Sequence, residues 1–364
     1  MAKDTIVFHR AFRDKQKNSK QMSSSEMEKK KKAFSYGSEL RQDIVTGDWV
    51  VIATGRAKRP QEFARFERAI SDEANDPFEN PTESGQEPDT LIYRHPDGDW
   101  SLRVFPNKYP AFSSGRKVRE ISDGPYFAMT GIGYHEIIVT RDATKSLALL
   151  PVWQVAEVFD AYQERYLELM NKKSVNYIQI FHNHGKESGA SLSHPHSQLL
   201  AIPVISPYIQ LELGGAKRYY LSNKHKVYGI ITEYESELKK RVLYENEHFI
   251  AFCPFASRVA FEIWIVGKRT NPYFERITDE EKFALAEVMK KALYALYQGL
   301  NDAPYNFYIH TAPCDGTDYP EYQWHIEILP HTATWGGFEF STGIEISTIE
   351  PETAVIYLRE QLDK

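Results

Sequence analysis

A chain of 364 residues with 42% apolar and 26% charged residues is long enough for about two domains and apolar enough to bury a core. Its 20 Gly and 19 Pro exclude a collagen-like or low-complexity chain, and apolar runs as short as 261–266 exclude a membrane-spanning helix. Two cysteines, Cys253 and Cys314, cannot build a disulfide framework and suit a reducing compartment, so a cytoplasmic protein is expected.

Residues 1–33 hold ten Lys or Arg against four Asp or Glu, so with a net charge of −6 the rest of the chain carries −12. This basic leader has no apolar period and reads either as a solvated extension or as a partner-binding arm. The acidic body excludes a general nucleic-acid binder, which needs a basic field. Thr46-Gly47-Asp48 predicts a turn between two extended segments. Residues 68–100 are rich in Asp, Glu, Asn, Pro and Gly and read as a long loop, followed by strands at 101–105 and 134–140. Pro151 opens a helix whose apolar residues Val152, Val155, Phe159, Tyr162, Tyr166 and Leu169 recur every three or four positions. Strands follow at 176–181 and 196–202, then a linker over 203–245 that contains Gly214-Gly215.

The order then repeats. Residues 261–266 echo 134–139, Thr278 and Glu281 form a capping box for a helix through Phe283, Met289, Leu293 and Leu296, 305–310 echo 176–181, and 323–330 echo 196–203. The expected fold is α+β: tandem duplicated units of antiparallel sheet with packed helices, an N-terminal domain over 34–203 and a C-terminal one over 204–364.

The densest chemistry lies at Gly189-Ala-Ser-Leu-Ser-His-Pro-His-Ser-Gln198. Side chains alternate on a strand, so His194, His196 and Gln198 share a face, and Pro195 sets the strand start. After a loop that can offer N–H groups and the hydroxyl of Ser191 or Ser193, two imidazoles and a carboxamide suit a phosphate. A neutral imidazole is nucleophilic, and a hydrogen bond at one nitrogen frees the other for attack on phosphorus. His-x-His on a strand is also a metal-ligand pattern. His182 and His184, on either side of Asn183, read as surface residues at a strand end.

His194-Pro-His-Ser-Gln198 resembles the active-site motif of the galactose-1-phosphate uridylyltransferase family in the histidine-triad superfamily. Arg56-Ala-Lys-Arg-Pro60, Val104-Phe-Pro-Asn107, Gly133-Tyr-His135, Asn183 before Gly185, and Trp335-Gly-Gly-Phe-Glu339 extend the resemblance in family order. Ser197 stands where the galactose enzymes have Gly and resembles the ADP-glucose phosphorylase-like branch. The resemblance implies a histidine-triad-like fold and transfer of a nucleoside monophosphate, UMP, between UDP-glucose or a related nucleotide sugar and a hexose 1-phosphate. His196 would be the nucleophile and Gln198 a phosphate donor. Arg56, Arg59, Asn183 and Ser191 would hold phosphates and Asn107 the base. Phe338 and Glu339 would face the hexose across a homodimer. A phosphorylase using inorganic phosphate, or a non-catalytic nucleotide binder, is the rival.

Family members also hold a zinc with a Cys-x-x-Cys and two histidines. Asp76-Pro-Phe-Glu79 occupies the matching place here, with His135 and His194 as the other expected ligands. The four residues read either as a carboxylate–histidine site for zinc or another divalent metal, or as a site that has lost its metal. The resemblance also implies a second metal group, His310, His325 and Glu327 with Glu212 from the linker, for iron or zinc; a buried polar cluster is the alternative. Cys253 and Cys314 read as packing residues.

Overall fold

The computed structural model describes residues 37–53, 63, 76–115 and 117–363. Arg56, Arg59 and the leader over 1–33 lie outside these residues. The chain first forms a hairpin, β1 (Glu39–Gln42) and β2 (Trp49–Ile52), around the expected turn, where Gly47 takes φ +87°. It is joined in parallel by β15 (Glu345–Ser347). Most of the remaining described strands belong to one sheet.

That sheet has ten strands. Its first half contains β3 (Leu91–Arg94), β4 (Trp100–Pro106), β7 (Tyr134–Thr140), β9 (His196–Ile202) and β8 (Tyr177–His184) in spatial order. Its second half contains β13 (Tyr305–His310), β14 (His325–Pro330), β12 (Ile263–Gly267), β11 (Phe249–Phe252) and β10 (Val242–Glu245). The two halves meet where β8 pairs antiparallel with β13, so the repeat seen in the sequence is a mirror in strand order about this seam. A small separate hairpin, β5 (Glu120–Asp123) and β6 (Tyr126–Met129), stands apart from the sheet.

Each half returns through one helix. α1 (Val152–Leu169) connects β7 to β8, and α4 (Asp279–Gly299) connects β12 to β13. α4 starts with the expected capping box: the Thr278 hydroxyl accepts from the Glu281 N–H, and the Glu281 carboxylate accepts from the Thr278 N–H. α1 buries Val155, Phe159, Tyr162, Tyr166 and Leu169 against α4 and the sheet, while Leu285, Met289, Leu293 and Leu296 answer from α4. Each such side chain contributes about 1.5–3 kcal/mol of burial. Phe283 is 56% exposed and so falls on the outer face of α4 rather than in the core stripe.

The segment read as a linker is two helices, α2 (Pro207–Asn223) and α3 (Val227–Leu238). Ser206 caps α2 by accepting from the Ile209 N–H at 3.3 Å, and Pro207 takes the first position. Gly215 is required by close approach: a Cβ there would lie 1.8 Å from the Val45 carbonyl oxygen. α2 and α3 cover the C-terminal half of the sheet on the face opposite α1 and α4, closing a second core around Trp264, Tyr228 and Tyr322. Two further helices, α5 (Gly337–Thr342) and α6 (Pro351–Leu362), complete the described chain.

Replacing a helical glycine by alanine ordinarily stabilises by up to about 1 kcal/mol. At Gly215 the sign should reverse, with a loss of about 1–3 kcal/mol from overpacking. Gly214→Ala should keep the ordinary sign, since only the movable Arg218 guanidinium, 3.1 Å from where the added methyl carbon would sit, stands in the way. Urea unfolding of both variants measures the difference.

Candidate active site

The face of the sheet away from α1 and α4 carries the polar residues. Register places Ile137, Gln198, Phe181, Tyr308, Glu327 and Trp264 in one row across six strands. Gln198 and Glu327 are three strand spacings apart on it, roughly 14 Å. His196 lies nearer the start of β9, paired with Val139, and Asn183 pairs with Asn306. The alternate residue Ser197 points to the other face, where it binds His182 Nδ1 at 2.9 Å and the Tyr162 hydroxyl.

His196 is 6% exposed, and its Nδ1–H donates to the backbone carbonyl of His194 at 2.9 Å. That bond leaves the lone pair on Nε2, for which the described residues offer no partner. Burial lowers the pKa of His196 below the ordinary value of 6.5, so the ring is held neutral. Phe78 packs its ring 5.1 Å from that of His196 and 6.0 Å from that of His194.

His135 stands behind Gln198. The Ala111 N–H donates to its Nδ1 at 3.2 Å, which puts the ring proton on Nε2, and that proton goes to Gln198 Oε1 at 2.8 Å. The carboxamide is thereby turned with its NH2 outward, the orientation an anion needs. Asn107 sits beside the same ring, its Oδ1 accepting from the Tyr109 N–H at 2.9 Å. The structure does not bring His135 to Asp76, Glu79 and His194, because both its nitrogens are committed to this relay.

Across the seam, Asn306 donates to Asn183 Oδ1 at 2.7 Å and to the Ser188 carbonyl at 3.0 Å, and His331 Nε2 meets Asn306 Oδ1 at 2.5 Å. Asn183 thus keeps its own NH2 available, beside the loop that returns to β9. Gly185 and Gly189 bend that loop at φ +81° and +90°, and Ser191 is exposed on it. A cleft of about 910 Å³ runs from Asn183 over Phe181, Asn306, Tyr308 and His310 to Trp335. Phe338 and Glu339 are on α5: Phe338 is 47% exposed, and Glu339 turns back to accept from the Gly336 N–H at 2.9 Å. An alternation of Asn306, Tyr308 and His310 along 305–310 is the signal that could have marked Asn306; nothing in the sequence marks His331.

Two groups of side chains bring candidate metal donors within 4.8 Å of one another: Glu212, His310, His325 and Glu327, and Asp76, Glu79 and His194. In the first, His325 Nδ1–H donates to the Gln323 carbonyl at 3.1 Å, aiming Nε2 inward. That Nε2 and Glu327 Oε1, 3.5 Å apart, are buried without hydrogen-bond partners. Glu212 Oε1 lies 3.0 Å from His310 Nδ1 and 3.7 Å from His325 Nε2. Burial resists ionisation of Glu327, but Arg258 and the two histidines hold its pKa well below the usual carboxylate value. These spacings bracket the roughly 3.3 Å edge of a tetrahedron around a zinc-sized ion, so this donor set fits a divalent metal.

Comparison with known proteins decides the family. The profile for "Galactose-1-phosphate uridyl transferase, N-terminal domain" matches residues 25–206, half of the chain, and a "Domain of unknown function (DUF4921)" matches residues 154–363. The chain is 34% identical to ADP-glucose phosphorylase of Arabidopsis thaliana, over 88% of this chain and 92% of that protein. The chain belongs to the galactose-1-phosphate uridylyltransferase family. A galactose-1-phosphate uridylyltransferase of Thermotoga maritima is 30% identical, over 88% of this chain and 98% of that one. The crystal structure of the Arabidopsis ADP-glucose phosphorylase with bound ADP-glucose superposes with a TM-score of 0.75 at 31% identity, covering 89% of this chain and 99% of that chain. The chain is an enzyme of this family with the expected α+β fold.

His182, which the sequence placed at the surface, is 1% exposed and stacked 5.0 Å from Phe307. Burial holds its pKa well below 6.5. The unfolded chain therefore takes up protons first as pH falls below 6.5, and this contribution to stability is present above that value and is lost on acidification. His182→Phe should flatten the fall in urea midpoint between neutral pH and about pH 5; an unchanged slope would show that other groups set it.

Proposed function

We propose that this enzyme moves a nucleoside monophosphate between a nucleotide sugar and a phosphate acceptor through a covalent intermediate on His196. The observation that carries the reading is the Nδ1 bond to the His194 carbonyl, which leaves a neutral ring with its nucleophilic nitrogen at Nε2. Nε2 attacks the α-phosphorus; an N–P bond forms, and the bond to the bridging oxygen breaks as sugar 1-phosphate leaves with its electron pair. The ring becomes cationic, and its Nδ1–H bond to a carbonyl stabilises that charge. An oxygen of the acceptor phosphate then attacks phosphorus and the electron pair of the N–P bond returns to Nε2. No proton is transferred, so no general base is required.

Gln198 and Asn183 present NH2 groups whose carbonyl ends are already engaged, which suits them to stabilise the transferring phosphoryl oxygens. Ser191 adds a hydroxyl donor from the loop before β9, the family resemblance assigns Arg56 and Arg59 to the phosphates, and Asn107 faces the base. UDP-glucose with a hexose 1-phosphate as acceptor is the reading the uridylyltransferase relatives support. ADP-glucose with inorganic phosphate is the second, supported by the 34% identity to ADP-glucose phosphorylase. Glu212, His310, His325 and Glu327 would hold a zinc or similar divalent ion, which when bound ties α2 to β13 and β14. We place the enzyme in the cytoplasm as a homodimer, with the exposed Phe338 and Phe340 of α5 meeting the partner; among the described residues no helix is long and apolar enough to cross a membrane.

The test is a burst and chase. Nucleotide sugar alone should release about one sugar 1-phosphate per chain and stop. Chasing with hexose 1-phosphate should give a new nucleotide sugar, and chasing with inorganic phosphate a nucleoside diphosphate; the faster chase names the acceptor. Turnover that requires both substrates at once, with no burst, would contradict the two-step reading. His196→Ala should abolish the burst while nucleotide sugar still binds.

A further inference from the structure

The group of Asp76, Glu79 and His194 differs from the C-terminal group in its chemistry. Among the described residues, none of its side-chain nitrogens or oxygens is buried without a partner, whereas the C-terminal group leaves two such atoms. His194 Nε2 meets the Thr140 carbonyl at 2.7 Å and so carries a proton. Its Nδ1 lies 2.6 Å from Asp76 Oδ2, the separation of a hydrogen bond with one shared proton. Two ligands of one tetrahedral zinc would stand about 3.3 Å apart. Asp76 Oδ1 is also taken, accepting from the Phe78 N–H at 2.9 Å. Glu79 is paired with Arg141 at 2.8 Å, and that guanidinium lies 5.2 Å over the Trp100 ring. The fourth expected ligand, His135, is engaged with Gln198. A cation is already supplied, and it is an arginine.

We infer that Asp76 and His194 form a metal-free clamp that positions His196, with Glu79 and Arg141 taking the charge a metal would have supplied. The connection is short. His194 is locked at both ring nitrogens, by Asp76 and by the end of β7, and the carbonyl of the same residue accepts the Nδ1–H of His196 at 2.9 Å. Asp76 and His194 side chains are 5% and 1% exposed, so no water competes for the bond. Phe78, whose N–H is held by Asp76, packs against both rings. Asp76 and His194 are therefore positioning residues, acting on His196 through the backbone and through Phe78. The positioning half of this inference rests on His196 as the nucleophile; the metal-free half does not.

Two measurements test it on the full chain. The chain is loaded with zinc, desalted and analysed for metal by mass spectrometry. At most one equivalent is expected, lost in His325→Ala and retained in Asp76→Ala and in the milder Glu79→Gln. A further equivalent that disappears with Asp76→Ala or Glu79→Gln overturns the clamp. The second measurement is single-turnover labelling by a radioactive nucleotide sugar. Asp76→Ala should slow labelling by about 10-fold or more while nucleotide-sugar affinity stays within about twofold, and Asp76→Asn should recover part of the rate. A labelling rate in Asp76→Ala equal to the parent's overturns the positioning role. Absence of labelling in the parent with every nucleotide sugar would refute the nucleophile reading, while the metal count would still decide the clamp.

Discussion

A β-strand delivers alternate side chains to opposite faces of its sheet, and β9 uses both. His196, Gln198 and Leu200 go to the polar face; Ser197, Leu199 and Ala201 go to the face packed by α1 and α4. The chemistry therefore depends on the core directly beneath it. Tyr162 from α1 reaches Ser197, Ser197 reaches His182, and His182 stacks on Phe307 from the other half of the molecule. A one-residue slip of β9 would exchange the two faces, burying Gln198 and exposing Leu199. The core fixes register, and register fixes the site.

Duplication supplies the second constraint. Joining two half-sheets at β8 and β13 makes one continuous face from Gln198 to Glu327, on which the proposed nucleophile His196 and a metal-suited group occupy different halves. Asn306 and His331 of the second half hold Asn183 and the loop of the first. The halves have diverged in their polar chemistry. Among the described residues, the carboxylates on the N-terminal side face a histidine and an arginine and leave no buried atom unpaired, while on the C-terminal side two buried ligand atoms lack partners.

Much of this was legible in the residues. The bounds of β7 and β9, the start of α4 and the repeat follow from alternation, capping and self-similarity, all local signals. His182 could have been placed too, since Ile178, Ile180 and His182 alternate onto the core face. What stayed hidden depends on tertiary partners. The Gly214-Gly215 pair and mixed charges of 203–245 masked two helices, because Gly215 answers to the Val45 carbonyl and not to helix propensity. His135 belongs to Gln198 only through the pairing of β7 with β9, and the pairing of Glu79 with Arg141 joins a loop to a strand end.

The central claim is that His196 Nε2 becomes covalently bonded to phosphorus. It is tested most directly by reacting the enzyme with nucleotide sugar in the absence of acceptor, quenching in alkali, and mapping the modified peptide by mass spectrometry. The expected result is a nucleoside monophosphate on the peptide containing His196, joined through Nε2 and released by mild acid. An adduct on another residue, or turnover with no adduct at all, would contradict it.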